Sequence, residues 1–139
     1  MRVFINGFGR IGRSVLRAWA QTPGQWPGLE VVGINDIAAA DMCAYLFEYD
    51  SVFGPWRGSV GLADGALVID GQAIRLHRTG DISGLDLRGV DVVMECTGRA
   101  DSHQVAARGL LAGAGRVLVS GPSAAAEVTL VLGANEDAF

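Results

Sequence analysis

Three glycines, Gly7, Gly9 and Gly12, stand in the pattern G-x-G-x-x-G between two stretches of different periodicity. Before them, Val3, Phe4 and Ile5 form a short apolar run that stops at Asn6, as a strand buried on both faces does. After them, Ile11, Val15, Leu16 and Trp19 recur at helical spacing until Pro23, Gly24, Pro27 and Gly28 end the helix. Strand, glycine turn and helix in this order give each glycine its own task. The first permits the tight turn, the second lets a pyrophosphate approach the backbone, and the third lets the helix pack close to the strand. The amides of Arg10 and Ile11 would point unpaired N–H groups at the phosphates, where the helix dipole favours negative charge. In a chain with 20 glycines the bare pattern is a weak signal, and its alternative is a glycine turn that only packs.

The rest of the chain supplies the context. Leu29 to Ile34 (LEVVGI) reads as a second strand at the separation a right-handed crossover requires, with Asn35 and Asp36 at its carboxyl end. An acid in that place accepts hydrogen bonds from the hydroxyls of an adenosine ribose and repels the extra phosphate of NADP, so the expected coenzyme is NAD. Ala39 to Phe47 has the composition of a helix. From Gly58 to Arg78 the pattern turns to short alternating runs with Asp64-Gly65 and Asp70-Gly71 at hairpin positions, an antiparallel meander. The βα rhythm resumes with Val90 to Cys96 as a strand, Asp101 to Ala112 as a helix, Arg116 to Ser120 as a strand and Val128 to Leu132 as one more. The predicted fold is α/β, a Rossmann-type doubly wound parallel sheet with an inserted antiparallel meander, spanning residues 1–139 as one domain.

In such a sheet, ligands bind outside the carboxyl ends of the strands. Thr97, Gly98, Ser120 and Gly121 stand at two such ends, where they read either as crevice lining or as ordinary strand-ending turns. Composition narrows the partners. Half of the residues are hydrophobic and 19% are charged, which excludes a disordered chain. A net charge of −4 gives no general attraction for nucleic acid or anionic lipid, and no apolar run reaches the roughly 20 residues of a membrane-spanning helix. The amino-terminal segment lacks the form of a signal peptide, and a cytoplasmic location is expected. Cys43 and Cys96 are too few for a disulfide framework and have no metal-ligand spacing around them. His77 and His103 have no visible catalytic partner, and Cys96 reads as a small buried hydrophobe. Trp19, Trp26 and Trp56 read as core or interface residues, and Glu48 with Asp50 as solvation of a helix end.

Several strings together carry a resemblance. NGFGRIGR at 6–13, IND at 34–36, LFEYDSVFG at 46–54, ECTG at 95–98 and SGPSA at 120–124 resemble the amino-terminal domain of glyceraldehyde-3-phosphate dehydrogenase, in the same order and spacing over essentially the whole chain. The resemblance implies a tetrameric, NAD-dependent glycolytic enzyme acting on glyceraldehyde 3-phosphate and phosphate. It implies Gly7, Arg10 and Ile11 at the pyrophosphate, Asp36 at the adenosine ribose, and Thr97, Gly98 and Ser120 toward the nicotinamide. Three departures stand against it. Tyr49-Asp50-Ser51-Val52-Phe53-Gly54 replaces the family's usual Tyr-Asp-Ser-Thr-His-Gly, and Thr79-Gly80-Asp81 replaces Glu-Arg-Asp near the adenine. The family's nucleophilic cysteine lies in a Ser-Cys-Thr-Thr stretch that this sequence does not contain, so neither Cys43 nor Cys96 inherits that role. The segment GANEDAF after the last expected strand has no capping element, as expected of a piece of a longer chain. Two alternatives remain at this point: the corresponding domain of an erythrose-4-phosphate dehydrogenase, whose members tend to carry Glu at the place of Asp36, and a stand-alone NAD-binding module without chemistry.

Overall fold

A computed structural model describes residues 1–138. The first apolar run forms β1 (Arg2–Asn6), and the glycine turn leads into α1 (Arg10–Gln21). There follow β2 (Glu30–Asn35), α2 (Ala40–Glu48), a two-residue pair β3 (Tyr49–Asp50) and β4 (Gly54–Pro55), and three hairpin strands β5 (Val60–Ala63), β6 (Ala66–Ile69) and β7 (Gln72–His77). Beyond these come β8 (Val92–Glu95), the short helices α3 (His103–Ala106) and α4 (Arg108–Leu111), and β9 (Arg116–Val119).

Seven strands form one sheet in the order β5-β6-β7-β2-β1-β8-β9, while β3 and β4 pair separately. From β7 to β9 all neighbours run parallel. The meander is therefore not an appendage, because its last strand is itself the parallel neighbour of β2. Asp64-Gly65 and Asp70-Gly71 make its two-residue turns with all four residues at positive φ, as the sequence predicts. Chain order runs outward from β1 in one direction through β2 and in the other through β8, so the topology reverses between β1 and β8.

Period-two alternation along β1 feeds a core on each face of the sheet. Ile5 joins Leu16, Val31, Ile34, Phe47, Leu67 and Ile74 on the face covered by α1 and α2, whereas Phe4 joins Ile82, Leu87, Val90 and Val93 on the other. On that second face α4 approaches very closely. A Cβ on Gly109 would lie 2.8 Å from Val117 Cγ2 and 3.0 Å from Val93 Cβ.

Two expectations need correction. The single helix expected over residues 101–112 is two short ones, joined at Ala107, whose ψ of −7° opens the helical repeat just before Gly109 settles on the sheet. The strand expected at Val128–Leu132 does not form. There the Val131 N–H donates to Asn135 Oδ1 at 2.6 Å and Asn135 Nδ2 donates to the Thr129 carbonyl at 2.9 Å, so a local turn takes the groups a ladder would have used. Trp19 and Trp56 pack against the core as expected, while Trp26 is exposed and donates to Thr22 Oγ1.

Leu16 is completely buried between α1 and the sheet. Leu16→Ala should cost about 2–5 kcal/mol, read as a lower urea midpoint at an unchanged denaturant slope.

Candidate functional site

Three neighbouring strands end in polar residues at one register position: Asn6 of β1 faces Asn35 of β2 on one side and Glu95 of β8 on the other. All three are buried, with 5%, 3% and 2% of their surface exposed. Polar groups taken out of water need partners, and these find one another. Asn6 Nδ2 donates to Glu95 Oε2 at 2.5 Å, and Asn35 Nδ2 donates to Asn6 Oδ1 at 2.8 Å. At one end the chain of bonds reaches Thr79, whose N–H donates to Asn35 Oδ1 at 2.9 Å and whose carbonyl accepts from Asn35 Nδ2 at 3.0 Å. At the other it reaches Thr97, whose N–H donates to Glu95 Oε1 at 2.9 Å and whose hydroxyl donates to the same oxygen. Sequence reading missed this network, whose signal is a polar residue closing each of three apolar strands that become neighbours only in the folded sheet.

Above the network lies the glycine turn. Gly7 has φ +93°, donates its N–H to the Asn35 carbonyl at 2.8 Å, and would put a Cβ 2.7 Å from the backbone of Cys96 and Thr97. A Cβ on Gly12 would lie 2.1 Å from the Gly7 carbonyl oxygen. Internal packing thus requires glycine at both places. Gly9 differs, because among the described residues a Cβ there would meet nothing within 4 Å apart from its own chain neighbours. The backbone at Gly9 is thus open to close approach from outside the protein, as a pyrophosphate would need. Gly9 is also the N-cap of α1 and supplies no capping side chain, and the first turn carries no acid. The N–H groups of Arg10 and Ile11 accordingly lack intrahelical acceptors. The donor set suits an anion.

Asp36 stands beside this turn. Its Oδ2 accepts from the Phe8 N–H at 2.7 Å and its Oδ1 from the Ala38 N–H at 2.9 Å. Each carboxylate oxygen keeps a further lone pair, so the group is fixed in direction and still able to accept from a diol. Across the switch point, Gly98 turns the chain with φ +71°. Ser120 follows β9, with its N–H on the Glu95 carbonyl at 3.0 Å and its side chain against the Cys96 thiol. Gly7, Gly9, Arg10, Ile11, Gly12, Asp36, Thr97, Gly98 and Ser120 therefore all lie at the carboxyl ends of the parallel strands or in the first turn of α1.

The remaining candidates are structural in their surroundings. Burial pushes the Cys43 thiol up to about 11, and it raises the Cys96 thiol as well, so neither favours the thiolate a nucleophile needs. His77 packs on the Phe4 ring, 5.6 Å between centroids, and burial followed by the Arg75 charge lowers its pKa. Asp50 does more than solvate a helix end: its Oδ1 accepts from the N–H groups of Val52 and Phe53 and shapes the loop. Arg17, almost fully buried, braces that loop from beneath by donating to the carbonyls of Phe47, Glu48 and Gly54. The two residues by which the loop departs from the family pattern, Val52 and Phe53, are 66% and 59% exposed. In the other departing segment, Thr79 is held through its backbone, and Asp81 caps a turn by accepting from Ser83 N–H.

Glycine turn, acid and switch-point crevice on a doubly wound sheet define a dinucleotide-binding domain. The model of the family described as glyceraldehyde 3-phosphate dehydrogenase, NAD binding domain, matches residues 1–103, and the chain belongs to that family. NAD is its coenzyme. Among similar curated proteins are glyceraldehyde-3-phosphate dehydrogenase 1 of Bacillus subtilis strain 168 at 40% identity, glyceraldehyde-3-phosphate dehydrogenase A of Escherichia coli K12 at 43%, and the cytosolic glyceraldehyde-3-phosphate dehydrogenase of Trypanosoma brucei brucei at 43%. Each alignment covers 100% of this chain, and the chain spans 41% of the length of each relative. Among the described residues no helix is long and apolar enough to cross a membrane.

His77 gives the site region a pH dependence. Its folded pKa lies below the ordinary imidazole value of 6.5, so its unfolded form binds the proton more readily. Its contribution to stability is complete above about pH 6.5 and is lost as pH falls from there toward the folded pKa. Urea unfolding of the wild type should show this decline, and His77→Phe should reduce it; equal slopes for the two proteins would contradict the assignment.

Proposed function

We propose that this chain supplies the coenzyme half of a phosphorylating glyceraldehyde-3-phosphate dehydrogenase. The backbone of Gly7, Gly9, Arg10, Ile11 and Gly12 receives the pyrophosphate of NAD. Asp36 accepts from the adenosine ribose, and Thr97, Gly98 and Ser120 line the crevice toward the nicotinamide. The observation that carries this reading is the Asp36 carboxylate, aligned by Phe8 N–H and Ala38 N–H at the edge of the glycine turn with accepting capacity to spare.

NAD supplies the hydride acceptor, and the chain's own residues bind and orient it. Glyceraldehyde 3-phosphate and phosphate are the proposed substrates of the full-length protein, and residues 1–139 form its NAD domain. The nucleophile is assigned outside Cys43 and Cys96, whose burial disfavours the thiolate. Asp36 stands where erythrose-4-phosphate dehydrogenases tend to carry Glu, which favours the glyceraldehyde enzyme over that one. The proposed setting is cytoplasmic and glycolytic, without nucleic-acid or membrane partners. A homotetramer is the proposed assembly, supported by exposed Met42, Tyr45, Tyr49, Val52 and Phe53 on α2 and the braced loop after it. Light scattering on the full-length protein tests that state.

Asp36→Ala should weaken NADH binding about 10- to 100-fold, the value of a hydrogen bond to a charged group, while NADPH gains relative to NADH. Fluorescence titration of both coenzymes measures the ratio. An unchanged ratio would remove Asp36 from the ribose.

A further inference from the structure

Resting on the coenzyme reading above, we propose that Glu95 is a positioning residue that holds, through a one-way hydrogen-bond ladder, both loops flanking the crevice. A carboxylate accepts hydrogen bonds and donates none. Glu95 receives three, from Asn6 Nδ2, Thr97 N–H and the Thr97 hydroxyl. Asn6 must therefore turn its NH₂ toward Glu95 and its carbonyl toward Asn35. Asn35 must then present NH₂ to Asn6 and, with its second hydrogen, to the Thr79 carbonyl, leaving Oδ1 for the Thr79 N–H. No amide in the series can be reversed without setting donor against donor. The orientation imposed at β8 is thereby transmitted across β1 and β2 to the segment just after β7, a span of four neighbouring strands. Thr97 begins one wall of the crevice, and Thr79 begins the segment on the adenine side. Glu95 itself is 2% exposed, so it acts on the crevice through Thr97 and Asn6.

The ladder makes possible a test that exchanges charge without changing shape. In Glu95→Gln the new NH₂ must oppose either Thr97 or Asn6, both donors. In Asn6→Asp two carboxylates face each other. In the double variant, Asn6→Asp with Glu95→Gln, the amide NH₂ now on β8 donates to the carboxylate now on β1. That carboxylate also accepts from Asn35, and the new amide carbonyl accepts from Thr97, so all the pairings return with the same net charge. Each single variant should bind NADH about tenfold or more weakly, and the double variant should recover to within about threefold of wild type. The amide resonances of Thr79 and Gly98 should shift together in each single variant and return in the double one. This signature separates transmission along the ladder from a general loss of stability. If the single variants fail to fold, the double variant must fold and bind. Unchanged NADH binding and an unmoved Thr79 resonance in Glu95→Gln would overturn the proposal, as would a double variant no better than the singles. If wild type binds no NADH, the coenzyme reading fails, and the Thr79 resonance alone decides for or against the ladder.

Discussion

The hydrogen bond between Asn6 and Glu95 ties together the two strands between which the topology reverses. Apolar burial drives these strands into one sheet, with Ile5 in the core on one face and Phe4 and Val93 in the core on the other, and a one-residue slip would send each to the opposite face. The buried carboxylate adds a second constraint. Losing its partners would leave a charge in a low-dielectric interior, at a cost of several kcal/mol, on the scale of a whole domain's stability. Asn6 and Glu95 therefore reinforce the register that the apolar pattern sets between β1 and β8, and with it the contact between Gly7 and the Cys96–Thr97 backbone.

From that contact the site follows. Glycine at 7 is needed because the chain must turn with positive φ directly against a neighbouring strand end, and glycine at 12 because α1 must start close to that turn. The turn in turn offers Phe8 N–H to Asp36, so the acid beyond β2 and the start of α1, with its unpaired N–H groups, form one unit with a fixed spacing. Binding to such a preorganised crevice avoids the cost of ordering its walls.

Much of this was legible in the sequence where the cause is local. The glycine pattern, the alternating hairpins with Asp64-Gly65 and Asp70-Gly71, and the acid after β2 each express a short-range steric or hydrogen-bonding need. Two local patterns misled. VTLVL has strand composition at 128–132, but Asn135 satisfies its backbone within a turn, and the periodicity over 101–112 carries no sign of the opening at Ala107. The ladder was hidden for another reason. Its members are separated by 29 and 89 residues along the chain, and nothing in Asn6, Asn35 or Glu95 singly distinguishes a ladder member from an ordinary strand end. Only the register of three strands brings them together. Arg17 is a similar case, a helix residue whose partners lie at the end of the next helix and on the loop that follows it.

In the proposed complex, NAD lies across the carboxyl ends of β2, β1 and β8. Titration of the isotope-labelled chain with NAD, followed through backbone amide resonances, tests that placement most directly. Shifts should concentrate at Phe8 to Gly12, Asp36 to Ala38, Thr97, Gly98 and Ser120, with the hairpin Val60–Ile69 unmoved. Shifts centred on the hairpin, or an unperturbed glycine turn at saturating NAD, would contradict it.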